Sequence, residues 1–206
     1  MATSFPDHYF KEIRTIWAAY QPKRIIPFCT PVFRDPIALV IGTNHSDFAQ
    51  DLRRSEEIAD NFASALPKEN TFLLHDHRFA KGIREVVARA GLVLDERWIG
   101  TNRCAVQTGP IGIGSLRRTP HFRESEKRMD ELLKRLIEDL RPRNIILTGG
   151  YACDLFYPDA QIFQDRPPRE LDLKDGKKAK IIPIKHPSRG SNYKHAVKNL
   201  TRHFKT

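Results

Sequence analysis

Four short apolar runs alternate along this 206-residue chain with stretches of helical periodicity. The runs are Ile37–Ile41, Trp98–Thr101, Asn144–Thr148 and Lys180–Ile184. Around them apolar residues return at every third or fourth position. Phe10, Ile13, Ile16, Trp17 and Tyr20 precede the first run, and Met129, Leu132, Leu133, Leu136, Ile137 and Leu140 precede the third. A run with few polar positions suits a strand covered on both faces, and such strands belong to parallel sheets packed between helices. The alternation therefore predicts an α/β chain, a three-layer α/β/α sandwich around a short, mostly parallel four-stranded central sheet. No repeat, low-complexity tract or long linker interrupts it, so residues 1–206 are expected to form one domain.

The breakers fit the same scheme. Pro22 ends the first helix, Gly91 closes a helix from Phe79 to Ala90, and Pro142 follows the stripe that stops at Leu140. A helix over Ser55–Leu66 would turn Ile58, Ala59, Phe62, Ala65 and Leu66 inward, and another from about Ser191 to Phe204 would follow the last strand. Pro183 has no N–H to give a ladder and is expected near an edge or a strand end. Thr71–Leu74 reads as a short strand-like run.

Lysine and arginine number 35 against 25 acids, a formal net charge of +10 with a pI near 9.7. After Asp175 there is no acid, while Lys177, Lys178, Lys180, Lys185, Arg189, Lys194, Lys198, Arg202 and Lys205 follow. An excess of this kind suits a polyanionic partner. The same segment carries a strand and an amphipathic helix, so it reads as folded surface and not as a loose arm. The sequence lacks a run of about 18 apolar residues and an apolar leader core, so neither a membrane nor a secretory route is expected. Cys29, Cys104 and Cys153 are far apart and form no Cys-x-x-Cys pair, which disfavours a disulfide framework and suits a reducing cytoplasm.

Several chemistries are poorly supplied. His75 and His77 would share one face if Thr71–His77 were extended, a possible start for a metal site, but there is no His-Glu-x-x-His and no Cys/His quartet. Gly109–Gly114 has neither dinucleotide spacing nor a Gly-Lys-Ser/Thr ending and reads as a loop. No Gly-x-Ser-x-Gly elbow is present, and Cys153 reads as a small residue packed on a helix. No metal and no cofactor are expected.

Ligands of parallel sheets collect at the carboxyl ends of the strands. Here those ends are Gly42-Thr43-Asn44-His45, Asn102-Arg103, Gly149-Gly150-Tyr151 and His186-Pro187-Ser188. An amide can orient a water or read the edge of a planar base, and an imidazole can hydrogen-bond a developing anion. Aromatic rings can stack on a base, while backbone N–H groups at glycine turns and helix starts can hold phosphates. Together these are the parts needed to extrude a base from a nucleic acid and act on it.

The motifs resemble those of the uracil-DNA glycosylase superfamily, in matching order over roughly Ile37 to Asn192. Val40-Ile41-Gly42-Thr43-Asn44-His45-Ser46 is similar to the family's first motif, a strand followed by Gly-x-(Asp/Asn/Glu) and usually Pro. Ile99-Gly100-Thr101-Asn102 is similar to the middle strand with its terminal Asn. Ile146 to Ala152 is similar to the strand-Gly-x-Tyr-Ala turn, and Lys185-His186-Pro187-Ser188-Arg189 to the His-Pro-Ser motif. His45 and Ser46 stand where the family has Pro and its neighbour, and position 44 is Asn, as in the mismatch-specific and single-strand-selective branches. The cysteines do not fit the iron–sulfur branches.

The resemblance implies a DNA repair glycosylase that hydrolyses the N-glycosidic bond of extruded uracil and leaves an abasic site, without metal or cofactor. It implies Asn44 and His186 as catalytic residues, the first orienting water and the second on the base carbonyl. Gly42, Thr43, His45, Phe48 and Asn102 would bind the base, with Phe48 or Phe62 as the stacking ring. Gly150, Tyr151, Ser188, Arg189, Ser191 and Asn192 would contact DNA, Arg189 either as a wedge in the duplex or as a phosphate contact. The expected partner is DNA containing uracil, and the protein is expected to be a monomer in a bacterial cytoplasm or nucleoid. Two alternatives stay open: a non-catalytic nucleic-acid-binding member of the same fold, and a glycosylase for another deaminated base such as hypoxanthine.

Overall fold

A computed structural model of the chain describes residues 5–21, 23–43, 60–108, 112–160, 166–187 and 193–206. Its helices are α1 (Phe5–Ile16), α2 (Thr71–Leu74), α3 (Arg78–Arg89), α4 (Phe122–Leu140), α5 (Gly150–Cys153) and α6 (Tyr193–His203). The strands are β1 (Ala38–Gly42), β2 (Trp98–Asn102), β3 (Asn144–Thr148), β4 (Arg169–Asp172) and β5 (Lys178–Ile184). They form one sheet in the order β2-β1-β3-β5-β4. β2, β1, β3 and β5 run parallel, and β4 is antiparallel to β5.

Each central strand points alternate side chains to two separate cores, as the two-residue strand period requires. Leu39, Ile41, Ile99, Ile145, Leu147 and Ile181 join the buried stripes of α1 and α4. Ala38, Val40, Trp98, Ile146, Ile182 and Ile184 meet α3 and α6 on the other face. Apolar residues at both odd and even positions of the strands are thus explained by helices on both sides.

The sheet has five strands where four were expected. The fifth, Arg169-Glu170-Leu171-Asp172, is a charged and largely exposed edge strand with no apolar run to betray it. It is held by hairpin pairing to Lys178–Ile181 across a turn in which Gly176 has φ +80°. The Thr71–Leu74 run is a single helical turn and not a strand. Asn70 caps it, its side chain accepting from the Phe72 N–H at 3.0 Å, and four apolar residues alone do not distinguish the two conformations. The expected helix over Ser55–Leu66 falls mostly outside the described residues, of which 60–64 are helical.

Other expectations match. The 78–89 helix is followed by Gly91 at φ +72°, and α4 ends at Arg141 in a left-handed conformation just before Pro142. Pro183 lies beyond the reach of β4, which pairs only as far as Ile181, and its carbonyl accepts from Asn199 Nδ2 at 2.8 Å. The outer edge of β2 is covered by residues 25–30, through Cys29 N–H to Gly100 O at 3.0 Å and Ile26 N–H to Ala105 O at 2.7 Å.

Asn144, the first residue of β3, is fully buried and ties three segments together. Its Nδ2 donates to Ile37 O at 2.9 Å and to Lys205 O at 2.7 Å, and its Oδ1 accepts from Lys205 N–H at 2.9 Å. Asn144→Ala removes all three bonds, two of them to Lys205, and is expected to cost about 2–4 kcal/mol in urea unfolding, since each is worth ~1 kcal/mol. A loss below about 0.5 kcal/mol would show that the C-terminal residues are not anchored this way.

Candidate active site at the strand carboxyl ends

Parallel register sets Gly42 opposite Asn102 and Thr148 opposite Ile184, so the segments that follow emerge together. Pairing continues past the strand ends: Gly42 O accepts from Arg103 N–H and Thr43 O from Cys104 N–H, both at 3.0 Å. The Asn102 side chain lies across the bare backbone of Gly42, where a Cβ would collide with its Oδ1. Only glycine permits that approach. Gly149, at φ +84°, sits between Thr43 and His186; a Cβ there would stand 3.6 Å from Thr43 Oγ1 and 3.5 Å from His186 Cβ. Gly42, Thr43, Asn102, Gly149 and His186 therefore form one continuous cluster built from four strands.

Asn102 is only 5 % exposed, yet its carboxamide has no hydrogen-bond partner among the described residues. An amide in such a place is complemented by an edge that offers a donor beside an acceptor. His186 is half-buried and packs against Phe79 of α3, the ring centroids 5.0 Å apart at a tilt of 34°. Phe72 meets Phe79 edge-on at 6.0 Å behind it. The turn after His186 rests on α3 at Gly82, where a Cβ would come within 2.7 Å of the Pro187 carbonyl carbon.

Phe79, Gly82 and Arg103 escaped the sequence reading as site residues. Phe79 and Gly82 appear there only as helical positions, and nothing in their spacing announces that α3 docks on a turn about a hundred residues away. Of the expected site residues, Gly150 opens the one-turn helix α5 and is exposed. Tyr151 turns its ring inward against Phe122, Arg103 and Arg117, and its hydroxyl is buried without a partner among the described residues. Asn44, His45, Phe48, Ser188, Arg189, Ser191 and Asn192 lie outside the described residues. Phe62 is buried against Ile26.

Rival chemistries lose their parts. His77 is the N-cap of α3, its Nδ1 accepting from Ala80 N–H at 3.3 Å, and His75 meets Phe62 edge-on. Among the described residues no group of three or more His, Cys, Asp or Glu side chains is placed to hold a metal. Burial pushes the Cys29, Cys104 and Cys153 thiols up to about 12, so none is a thiolate nucleophile at neutral pH. No helix among the described residues is long and apolar enough to cross a membrane.

Charge is distributed along the strand direction. At the amino ends, Asp35 pairs with Arg141 and Lys177, Asp95 with Arg97, and Glu170 with Lys178 and Lys205. Hydrogen bonding to Lys177 holds the Asp35 carboxyl below its usual range. Part of the C-terminal basic excess is therefore neutralised far from the cluster. At the carboxyl ends, Arg78, Lys81, Lys185 and Lys194 make no ion pair with the described residues. At the same end Asp130 and Glu126 stand on Arg103 and Asp154 on Arg166.

A protein-family model described as the uracil DNA glycosylase superfamily matches residues 52–205. That span includes Asn102, the Gly149–Tyr151 turn and His186, and begins after β1. No curated protein matches the sequence.

Gly82→Ala should improve helix propensity by about 1 kcal/mol yet push on the Pro187 backbone, which cannot swing aside as a side chain can. The expected net result is a loss of about 1–2 kcal/mol in urea unfolding, with a shift of the His186 imidazole signals in NMR. A gain in stability with unmoved His186 signals would mean that α3 does not set this turn.

Proposed function

The chain belongs to the uracil DNA glycosylase superfamily, and from that premise we propose that it is a monofunctional glycosylase acting in base excision repair. It extrudes uracil from DNA and hydrolyses the bond between base and sugar. The observation that carries this reading is the buried carboxamide of Asn102, without a hydrogen-bond partner among the described residues and in one cluster with Thr43, Gly149 and His186. Uracil presents an N–H beside a carbonyl, and an amide complements both: Oδ1 accepts from N3 while Nδ2 donates to the carbonyl. The family match and the cations at the same end of the sheet that make no ion pair with the described residues support a DNA substrate.

The bond breaks through an oxocarbenium-like sugar and a departing uracil anion, as in other glycoside hydrolyses. His186 donates to the carbonyl oxygen on which the leaving negative charge collects. Phe79 and the Gly82 seat hold the imidazole in place for it. Asn44, next along the chain from Thr43, takes up no proton at neutral pH and so orients the attacking water without serving as a base. The rate enhancement then comes mainly from stabilising charge, that of the anion by donors and that of the sugar cation by neighbouring phosphates. The exposed Gly150 turn meets the DNA backbone through its main chain, since the Tyr151 ring is turned inward.

Alkaline cleavage of labelled oligonucleotides containing uracil, hypoxanthine or thymine, single-stranded and mismatched, tests this directly. Uracil strands should be cut, with no effect of EDTA. Cutting of hypoxanthine alone would reassign the base, and DNA binding without abasic sites would favour the non-catalytic alternative. His186→Ala should slow cleavage about a hundred- to a thousandfold, the usual loss for one donor to a developing anion; a loss under about fivefold would remove His186 from this role. Asn102→Asp should weaken uracil cleavage and admit cytosine, whose edge offers the donor that a carboxylate can accept. Equal handling of both bases by variant and parent would refute the assignment of Asn102.

A further inference from the structure

Arg103 is a charged residue with only 5 % of its surface exposed. Its backbone N–H donates to Gly42 O at the end of β1, at 3.0 Å. Its guanidinium grips Asp130 of α4 through two bonds, Nε to Oδ1 at 2.7 Å and Nη2 to Oδ2 at 2.6 Å. Nη1 donates to the Tyr151 carbonyl at 2.7 Å, and Glu126 of α4 stands 3.6 Å from Nη2. The guanidinium carbon also lies 4.6 Å from the centre of the Tyr151 ring. One residue thus joins the end of β1, the extension of β2, the turn after β3, and α4.

Stability is a weak reason for such a group, because apolar side chains of similar volume commonly replace a buried ion pair without loss. Apolar side chains cannot, however, fix direction. A planar guanidinium holds its partners at set angles, which neither a methylene chain nor a lysine ammonium does. Arg103 directly follows Asn102, and Tyr151 ends the Gly149–Gly150–Tyr151 turn against which His186 packs. β1 lies between these two strand ends in the sheet, so the bond from residue 103 to residue 151 spans it.

We propose that Arg103 is a positioning residue, holding the Asn102 strand end and the Gly149–Tyr151 turn at a fixed separation so that Asn102 and His186 face the same base. The catalytic consequence rests on the glycosylase reading; the structural one does not. Displacements of about 1 Å in such a constellation can cost a hundredfold in rate.

Two variants test it. Arg103→Lys keeps the charge and loses the fork. The double variant Arg103→Met/Asp130→Leu removes both charges at similar volume and is expected to stay folded, melting within a few degrees of the parent because the Tyr151 carbonyl loses its donor. In both, amide hydrogen exchange at residues 149–153 should rise about tenfold or more while β3 and α4 stay protected. On uracil DNA, kcat should fall about ten- to a hundredfold with KM within about twofold of the parent. Parent-like exchange at the turn, or parent-like kcat in the folded double variant, would overturn the proposal. If the variants show the faster exchange while the parent leaves uracil DNA intact, the clamp stands and the glycosylase assignment alone falls.

Discussion

In a parallel sheet every strand leaves in the same direction, and register decides which residues leave together. Backbone pairing of Gly42 with Asn102, of Ala38–Ile41 with Asn144–Leu147, and of Thr148 with Ile184 brings four distant segments out at one edge. A slip of one residue in β2 would carry Asn102 to the other face of the sheet. The register is held from both sides, because each strand commits alternate side chains to two different apolar cores. The chemistry at the strand ends therefore depends on the apolar packing below it.

Two kinds of close contact convert that edge into a shaped site. Bare backbone at Gly42 and Gly82 lets Asn102 and Pro187 approach where a Cβ would intrude, and Gly149 supplies the positive φ of the turn beside His186. Buried polar groups then set direction, the Arg103 guanidinium among them. Ion pairs stand at both ends of the sheet, Asp35 with Arg141 and Lys177 at the amino ends and Asp130 with Arg103 at the carboxyl ends, where Arg78, Lys81, Lys185 and Lys194 make none with the described residues.

Much of this was legible before any coordinates. Runs such as Ile37–Ile41 and Asn144–Thr148 announce buried parallel strands because they are short, rich in β-branched residues and bounded by breakers and polar residues. The order of the short motifs placed Asn102 and His186 at strand ends, where the structure has them. β4 was hidden because an exposed edge strand needs no apolar pattern, only a partner. Thr71–Leu74 misled because one helical turn and a short strand have the same composition. Phe79, Gly82 and Arg103 act through contacts between segments far apart in sequence, and no local pattern encodes such contacts. The basic tail was overread, since Lys177, Lys178 and Lys205 meet carboxylates that precede them in the chain.

The central claim is that Asn102 and His186 address the same small planar ligand. Titrating free uracil into isotopically labelled protein, while following the Asn102 side-chain amide and the His186 imidazole by NMR, tests that claim without any DNA. The account predicts that both signals move along one saturation curve and that thymidine, with its sugar attached, moves neither to the same extent. Uracil shifting only one of the two, or each at a different concentration, would contradict it.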